Sequence, residues 1–248
     1  MLKDIKFILQ KLFIPGHLTL KKRILRSIKS RIEREYNVIP LLCNKDYLSI
    51  DVGVFRGVYS FLLSKHSKFV HAFEANPIMS NYLNKNLKKI INNIEIHNYA
   101  LSNKIGSVDL KIPLRYKSFI KNNFEDFYEG GLATIHKDNS LDNKIFDTIK
   151  TESNFLDNIK FNSKVGFIKI DVEGHEQYIL EGAINLIKND KPNLLIEIEE
   201  KHRNDSIKIT FDFLRRQGYR TYIFKDQKLN LIHDYLKENS VNYIFKKD

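Results

Sequence analysis

With a single cysteine, Cys43, the chain can close no internal disulfide and can build no cysteine-ligated metal cluster of its own. That usage suits a reducing cytoplasm. Tryptophan is absent, so the 12% aromatic content is all phenylalanine and tyrosine. Long apolar runs are absent too, and no stretch approaches the roughly 18–20 apolar residues of a membrane-spanning helix. The first apolar run, Phe7-Ile8-Leu9, is cut by Gln10 and Lys11 and leads to no small-residue cleavage site, so no secretory signal is read there. Internal repeats and low-complexity linkers are missing, and one domain is expected.

What remains is an ordinary soluble composition, 42% hydrophobic and 29% charged over 248 residues, enough for one α/β domain with a core. The net charge is +11, and it is uneven. Residues 1–46 hold 11 Lys/Arg and 4 Asp/Glu, so 11 − 4 = +7 of it sits at the N-terminus. Residues 3–13 and 19–36 read as two helices, the second with Leu20, Ile24, Leu25, Ile28 and Ile32 as its apolar stripe. A basic amphipathic helix of this kind packs on its own domain, pairs with a sister subunit in a homodimer, or makes peripheral contact with an anionic membrane surface. Residues 1–45 are thus expected as a basic helical extension, and residues 46–248 as the main domain.

From Tyr47 the pattern is strand, helix, strand, helix, strand. Strands are expected at 47–51, Phe69–Glu74 and Ile94–Asn98, with helices at 57–66 and from Pro77 to about Asn92. That alternation is the mark of a parallel, doubly wound sheet. A further strand is expected at Ser107–Ile112. Residues 113–150 then break the rhythm with scattered aromatics and Gly130-Gly131, and form a β-rich insertion with short strands at Leu132–Ile135 and Phe146–Thr151. Long insertions in compact domains are often lids or binding loops. The rhythm resumes with a buried strand, Val165–Asp171, a helix to about Ile187, a strand at Asn193–Glu197, a helix at 206–217, and two closing strands, Tyr219–Phe224 and Val241–Phe245, as an antiparallel pair.

The stretch Tyr47–Ser60, YLSIDVGVFRGVYS, is a strand that ends on Asp51 and turns at Gly53 and Gly57 into a helix. Ligands of open α/β sheets bind beyond the carboxyl ends of the strands. The glycines let backbone approach a ligand, and the amides that open the helix suit a carboxylate or phosphate. Asp51 favours a cationic group such as an ammonium. No lysine follows Gly57, which excludes a P-loop. Glu74, closing the next strand, suits the two hydroxyls of a ribose. The missing G-x-G-x-x-G argues against NAD.

Ile168–Glu176, IKIDVEGHE, is the third element. The order DVGVFRGVYS, HAFEANP, ALSNKIGSVDL, IKIDVEGHE and LLIEIEE resembles the FkbM-type S-adenosylmethionine-dependent methyltransferases over roughly residues 46–200. The resemblance implies a Rossmann-like class I methyltransferase fold with a seven-stranded, mostly parallel sheet and an antiparallel C-terminal strand. It implies S-adenosylmethionine held by Asp51, Gly53, Phe55, Gly57, Glu74, Ala75 and Asp171, with the adenine near Ala100. It also implies O-methylation, often of sugars in natural products or surface glycans. Two positions differ from the family's usual G-A-N-x-G and Glu-Pro-Asn-Pro: Phe55 stands where the asparagine is usual, and Ala75 where the first proline is usual.

Methyl transfer to an alcohol needs a positioned acceptor and gains from a general base. Asp171 and His175 are the candidate bases, and Glu173 and Glu197 are candidates to orient them or the acceptor. Asp171, Glu173, Glu197 and Glu199 are also a set of oxygen ligands for Mg²⁺, a reading not favoured. The other histidines share no metal-ligand spacing, with His136 the exception most worth testing as a functional residue. Arg115, Lys117 and Lys121 in the insertion suit a nucleotide-sugar diphosphate. The expected activity is a cytoplasmic carbohydrate O-methyltransferase acting on a nucleotide-linked sugar or a capsule or lipopolysaccharide precursor, and not on nucleic acid. The alternatives are a nucleic-acid methyltransferase, which the basic N-terminus suggests, and a non-catalytic S-adenosylmethionine-binding protein. Against the first, the place of an Asn/Asp-Pro-Pro-aromatic motif is taken by Asp171-Val172-Glu173-Gly174.

Overall fold

The computed structural model describes residues 15–113, 133–135, 146–200, 205–233 and 240–247. The expected helix at 3–13, most of the insertion with Arg115, Lys117, Lys121 and His136, and also His202, lie outside the described residues. In chain order the elements are α1 (Gly16–Lys29), a 3₁₀ turn (Arg34–Asn37), α2 (Ile39–Leu42), β1 (Leu48–Val52), α3 (Val58–His66), β2 (Phe69–Phe73), α4 (Pro77–Asn86) and β3 (Ile94–His97). There follow β4 (Ala100–Leu101), β5 (Gly106–Pro113), β6 (Phe146–Asn154), β7 (Val165–Ile170), α5 (Glu176–Glu181), α6 (Ile184–Asp190), β8 (Asn193–Glu197), α7 (Ser206–Arg216), β9 (Arg220–Lys225), β10 (Lys228–Ile232) and β11 (Asn242–Lys246).

Among the described residues the main sheet has eight strands in the order β10-β9-β11-β8-β7-β1-β2-β3. β3, β2, β1, β7 and β8 are parallel to one another, and β11 is antiparallel to both its neighbours. The strands in the middle are covered on both faces, so β1 is buried at all five positions and reads as an unbroken apolar run apart from Ser49 and Asp51. Seven of the strands are those expected. The eighth, β10, comes from a two-residue hairpin in which Asp226 and Gln227 both take positive φ, 52° and 60°. That turn usually advertises itself as Asn-Gly or Asp-Gly, and here the second residue is Gln227.

β4, β5 and β6 form a separate sheet in the order β4-β6-β5. The two expected strands that flank the insertion therefore pair with each other, from Gly106↔Ser153 to Pro113↔Phe146, and stay out of the main sheet. Thr134 bridges to Lys111 on the outer side of β5.

Helix α1 packs on its own domain. Leu20 and Ile24 are fully buried in the apolar cluster that also holds Leu83, Leu87 and Val70. The helix stops at Lys29, so Ile32 lies past its end and is 68% exposed, and Leu25, one residue round from Ile24, is 47% exposed. Both belong to the expected apolar stripe, which is instead carried by positions 20, 24 and 28, four apart. The expected single helix after β7 is two helices. Gly182 separates them because a Cβ there would lie 2.1 Å from the Ser102 carbonyl oxygen. The Asp157 carboxylate then caps the second helix by accepting from the Asn185 and Leu186 amides. Among the described residues no helix is long and apolar enough to cross a membrane.

Candidate active site

The site lies at the carboxyl ends of β1, β2 and β7. Gly53 leaves β1 with φ +83°, and a Cβ at this position would stand 1.8 Å from the Asp171 carbonyl oxygen. Only glycine lets the end of β1 lie this close to the end of β7. Phe55 follows at φ 47°, a conformation that asparagine tolerates and a bulky side chain resists. Its amide donates to Glu74 Oε2 at 3.0 Å, and the Asn76 amide donates to Glu74 Oε1 at 2.9 Å. Asn76 also caps α4 by accepting from the Ile78 and Met79 amides. Glu74 is thus fixed in orientation at the strand end. Burial, the dominant cause, pushes its carboxyl up to about 7 against the lowering effect of those two amides.

A cleft opens over these groups. Its walls are Val52, Gly53 and Phe55 after β1; Phe73, Glu74 and Ala75 after β2; Tyr99, Ala100 and Leu101 after β3; and Asp171, Val172, Glu173 and His175 after β7. The small sheet closes the remaining side with Leu110, Ala133 and Ile135. The Thr134 hydroxyl donates to the Glu173 carbonyl at 2.8 Å, which ties this part of the insertion to the loop after β7.

Of the residues singled out in the sequence, Gly53, Phe55, Glu74, Ala75, Ala100, Asp171, Glu173 and His175 line the cleft, whereas Asp51, Gly57 and Glu197 do not. Asp51 is 1% exposed and accepts from the Ser60 hydroxyl. Burial raises its pKa to about 6, partly offset by Ser60 and Lys169. Gly57, at φ +73°, begins α3 where a Cβ would meet the Leu87 side chain at 2.6 Å. His175 is 8% exposed, shares a 3.0 Å hydrogen bond between Nε2 and the Ser102 hydroxyl, and stacks on Tyr178 at 4.6 Å. The turn before it uses positive φ at Glu173 and Gly174, and Glu176 accepts from the Gly174 amide. Burial raises Glu176 to about 7.

Sequence reasoning missed Lys169. It sits in an apolar strand, is 1% exposed, and places its Nζ 3.3 Å from Asp171 Oδ2 and 4.9 Å from the Tyr59 ring centre. Burial alone would lower its pKa, but the carboxylates of Asp171, Glu197, Glu33 and Asp51 raise it, so it stays a cation. Glu33 reaches this cluster from the N-terminal segment and accepts from the hydroxyls of both Tyr36 and Tyr59. Burial, with Asp171 beside it, raises the Glu197 pKa. Strand periodicity carries a weak signal for this cluster, since Lys169 and Asp171 share a face and Lys169 lies opposite Asp51 in register. The four carboxylates considered for Mg²⁺ do not converge. Among the described residues, three metal-ligating side chains come within 4.8 Å of one another at one place, formed by His71, Glu95 and His97.

No curated protein matches the chain. Among solved structures, the methyltransferase FkbM of Methylobacillus flagellatus KT superposes with a TM-score of 0.50 at 15% identity, over 82% of this chain and 44% of that one. This chain therefore spans less than half the length of that protein, and the likeness is one of fold. An O-methyltransferase from Bacillus cereus in complex with SAH gives 0.49 at 12% identity, over 98% and 96% of the two chains. A SAM-dependent O-methyltransferase from Thermotoga maritima gives 0.44 at 12% identity, over 90% and 71%. The family model for the methyltransferase FkbM domain matches residues 51–221, from the acid at the end of β1 to the second residue of β9. That span takes in the glycine loop, Glu74 and IKIDVEGHE, and the chain belongs to the FkbM methyltransferase family.

Proposed function

We propose that the protein is an S-adenosylmethionine-dependent O-methyltransferase whose acceptor is a hydroxyl of a carbohydrate. Family membership supports methyl transfer, and the donor set suits the cofactor. Glu74 is fixed by two amides and still has lone pairs for a ribose diol. Tyr99, Ala100, Leu101 and Leu110 offer an apolar wall for a flat base. The base and the sulfonium arm leave the ribose in opposite directions. With an adenine on that wall, Gly53 and Asp171 would lie at the sulfonium end, where the cofactor when bound would supply an electrophilic methyl.

The observation that carries the acceptor reading is Asp171, which lines the cleft and joins it, through Lys169, to the polar cluster of Glu33, Tyr36, Tyr59 and Glu197. Carboxylates and phenols match the many hydroxyl donors of a sugar. They disfavour a polyanionic backbone, which would need a basic face. Asp171, with its side chain 34% exposed and paired to Lys169, is the better placed base. His175 is deeper, hydrogen-bonded to Ser102, and lies by Leu101 and Ile135 on the adenine side. In this reading it positions the cofactor.

The test is a radiolabelled methyl-transfer screen over nucleotide sugars, oligosaccharides and RNA, with Asp171→Asn and His175→Ala beside the wild type. Label in a sugar, lost in Asp171→Asn with S-adenosylhomocysteine binding kept, supports the reading. Label in RNA alone refutes the acceptor. Full turnover by Asp171→Asn removes it as base.

A further inference from the structure

His71 on β2 and Glu95 and His97 on β3 carry chemistry that the cleft does not use. β2 and β3 are parallel, with His71 opposite Glu95 and Phe73 opposite His97. Glu95 and His97 are two residues apart, so strand periodicity puts both on the face that also holds His71. The sequence spacing gave no metal signal because the register between two strands makes this cluster, not a local motif.

The three donor atoms face one another. His71 Nδ1 lies 3.1 Å from His97 Nε2, and Glu95 Oε2 lies 3.6 Å from the first and 3.8 Å from the second. A tetrahedral ion with metal–ligand bonds of about 2.0–2.1 Å places its ligand atoms about 3.3 Å apart. The observed triangle brackets that spacing, and its widest sides belong to the flexible glutamate. The imidazoles are held in place: His97 stacks on Phe73 at 4.5 Å and 15°, and His71 meets Phe161 edge-on at 5.1 Å. The Glu95 side chain is 53% exposed, so the cluster opens to solvent and leaves room for water as a fourth ligand.

We propose that His71, Glu95 and His97 form a binding site for a divalent transition metal ion, separate from the cofactor cleft. Two imidazole nitrogens and one carboxylate select zinc, cobalt or nickel over magnesium or calcium. Without an ion, one of the two facing nitrogens carries the proton of their hydrogen bond. On binding, that proton moves to the outer nitrogen of the same ring, so the imidazoles stay neutral, and the two rings, which here meet nearly coplanar with these nitrogens end to end, pivot to aim both lone pairs at the metal. The ion would fasten the edge strand β3 to β2. Phe73, which supports His97, also lines the cleft, so the fastening borders the cofactor.

The experiment uses the full chain, free of any histidine tag, stripped with a chelator and titrated calorimetrically with zinc chloride, with cobalt(II) absorption as a second readout. The expected result is one ion per chain, a tetrahedral cobalt spectrum, and a raised Tm. His71→Ala and His97→Ala should each weaken binding by more than about tenfold. Glu95→Gln, which is exposed and keeps its shape, should weaken it while leaving the circular dichroism unchanged. No zinc binding by the wild type, or wild-type affinity in Glu95→Gln and in both folded histidine variants, would overturn the proposal.

Discussion

Glu74 makes cofactor binding depend on pH in a direction that the structure fixes. Its carboxyl is buried and its pKa stands near 7, well above an ordinary glutamate. A ribose diol donates hydrogen bonds, so it prefers the ionised carboxylate and must displace the proton at low pH. With a pKa of 7, roughly one molecule in eleven is ionised at pH 6 and ten in eleven at pH 8. The Kd of S-adenosylhomocysteine should therefore tighten about tenfold from pH 6 to pH 8, about 1.4 kcal/mol. Calorimetry in two buffers of different ionisation heat should also show close to one proton released at pH 6. Glu74→Gln resembles the protonated acid. It should bind much more weakly than the wild type at pH 8, approach it at pH 6, and lose most of the slope. Asp51 and Glu176 titrate nearby, so the variant isolates the part that belongs to Glu74. A flat wild-type profile, or a variant that keeps the full slope, would refute Glu74 as the ribose acceptor.

Two further outcomes follow from the same geometry. Asp51, Glu74 and Glu176 all have pKa values raised, chiefly by burial, to about 6, 7 and 7. Between pH 4.5 and 7 the folded chain holds protons that the unfolded chain has lost, so stability from these groups is complete below the ordinary carboxylate range and declines as pH rises through 6–7. His71 and His97, whose pKa values burial lowers, contribute the opposite slope, so the acid share is read in scanning calorimetry of the cofactor-free protein as a pH 5.5 minus pH 8 Tm difference that falls in Glu74→Gln, and an unchanged difference would contradict the burial of this acid. Gly53→Ala must place a Cβ 1.8 Å from the Asp171 carbonyl at a left-handed φ. Left-handed backbone alone costs an alanine about 1–2 kcal/mol, so a loss of more than about 2 kcal/mol in denaturant unfolding is expected, together with lost cofactor binding. Unchanged stability would mean that β1 and β7 end farther apart.

The order of strands was legible because parallel, doubly buried strands are continuous apolar runs punctuated by glycine and acid, as in β1 and β7. The cleft residues were legible for the same reason, since strand ends place Gly53, Glu74 and Asp171 side by side whatever the loops do. The reading failed where an outcome depends on pairing partners. β10 rests on a turn with Gln227 in place of glycine, and β5 and β6 pair with each other across an insertion that gave no register. Asp51 looked like a ligand-facing acid at a strand end, yet its carboxyl points to Ser60, away from the cleft. The basic N-terminal segment packs on its own domain, one of the readings its pattern offered, but its charge gave no sign that it delivers Glu33 and Tyr36 to the buried polar cluster.

That cluster makes Lys169 the residue whose loss is most informative. It is the buried cation facing Asp171, Glu197, Glu33 and Asp51. Lys169→Met keeps much of the length and packing against Tyr59 but leaves those carboxylates without their common counter-ion. Removing one partner of a buried pair costs on the order of 3 kcal/mol, because the charge left behind stays desolvated. The partners here are acids, so the penalty exists only while they are ionised. Burial raises Asp51 to about 6 and Glu197 to about 8, so the variant should lose more stability relative to the wild type at pH 8 than at pH 5.5, where protonation of these two removes part of the uncompensated charge. If Asp171 is the base, the variant should also turn over more slowly, since Lys169 no longer holds its carboxylate at 3.3 Å. An equal loss of stability at both pH values would show that Lys169 acts through packing alone. An unchanged rate would separate Lys169 from the reacting carboxylate.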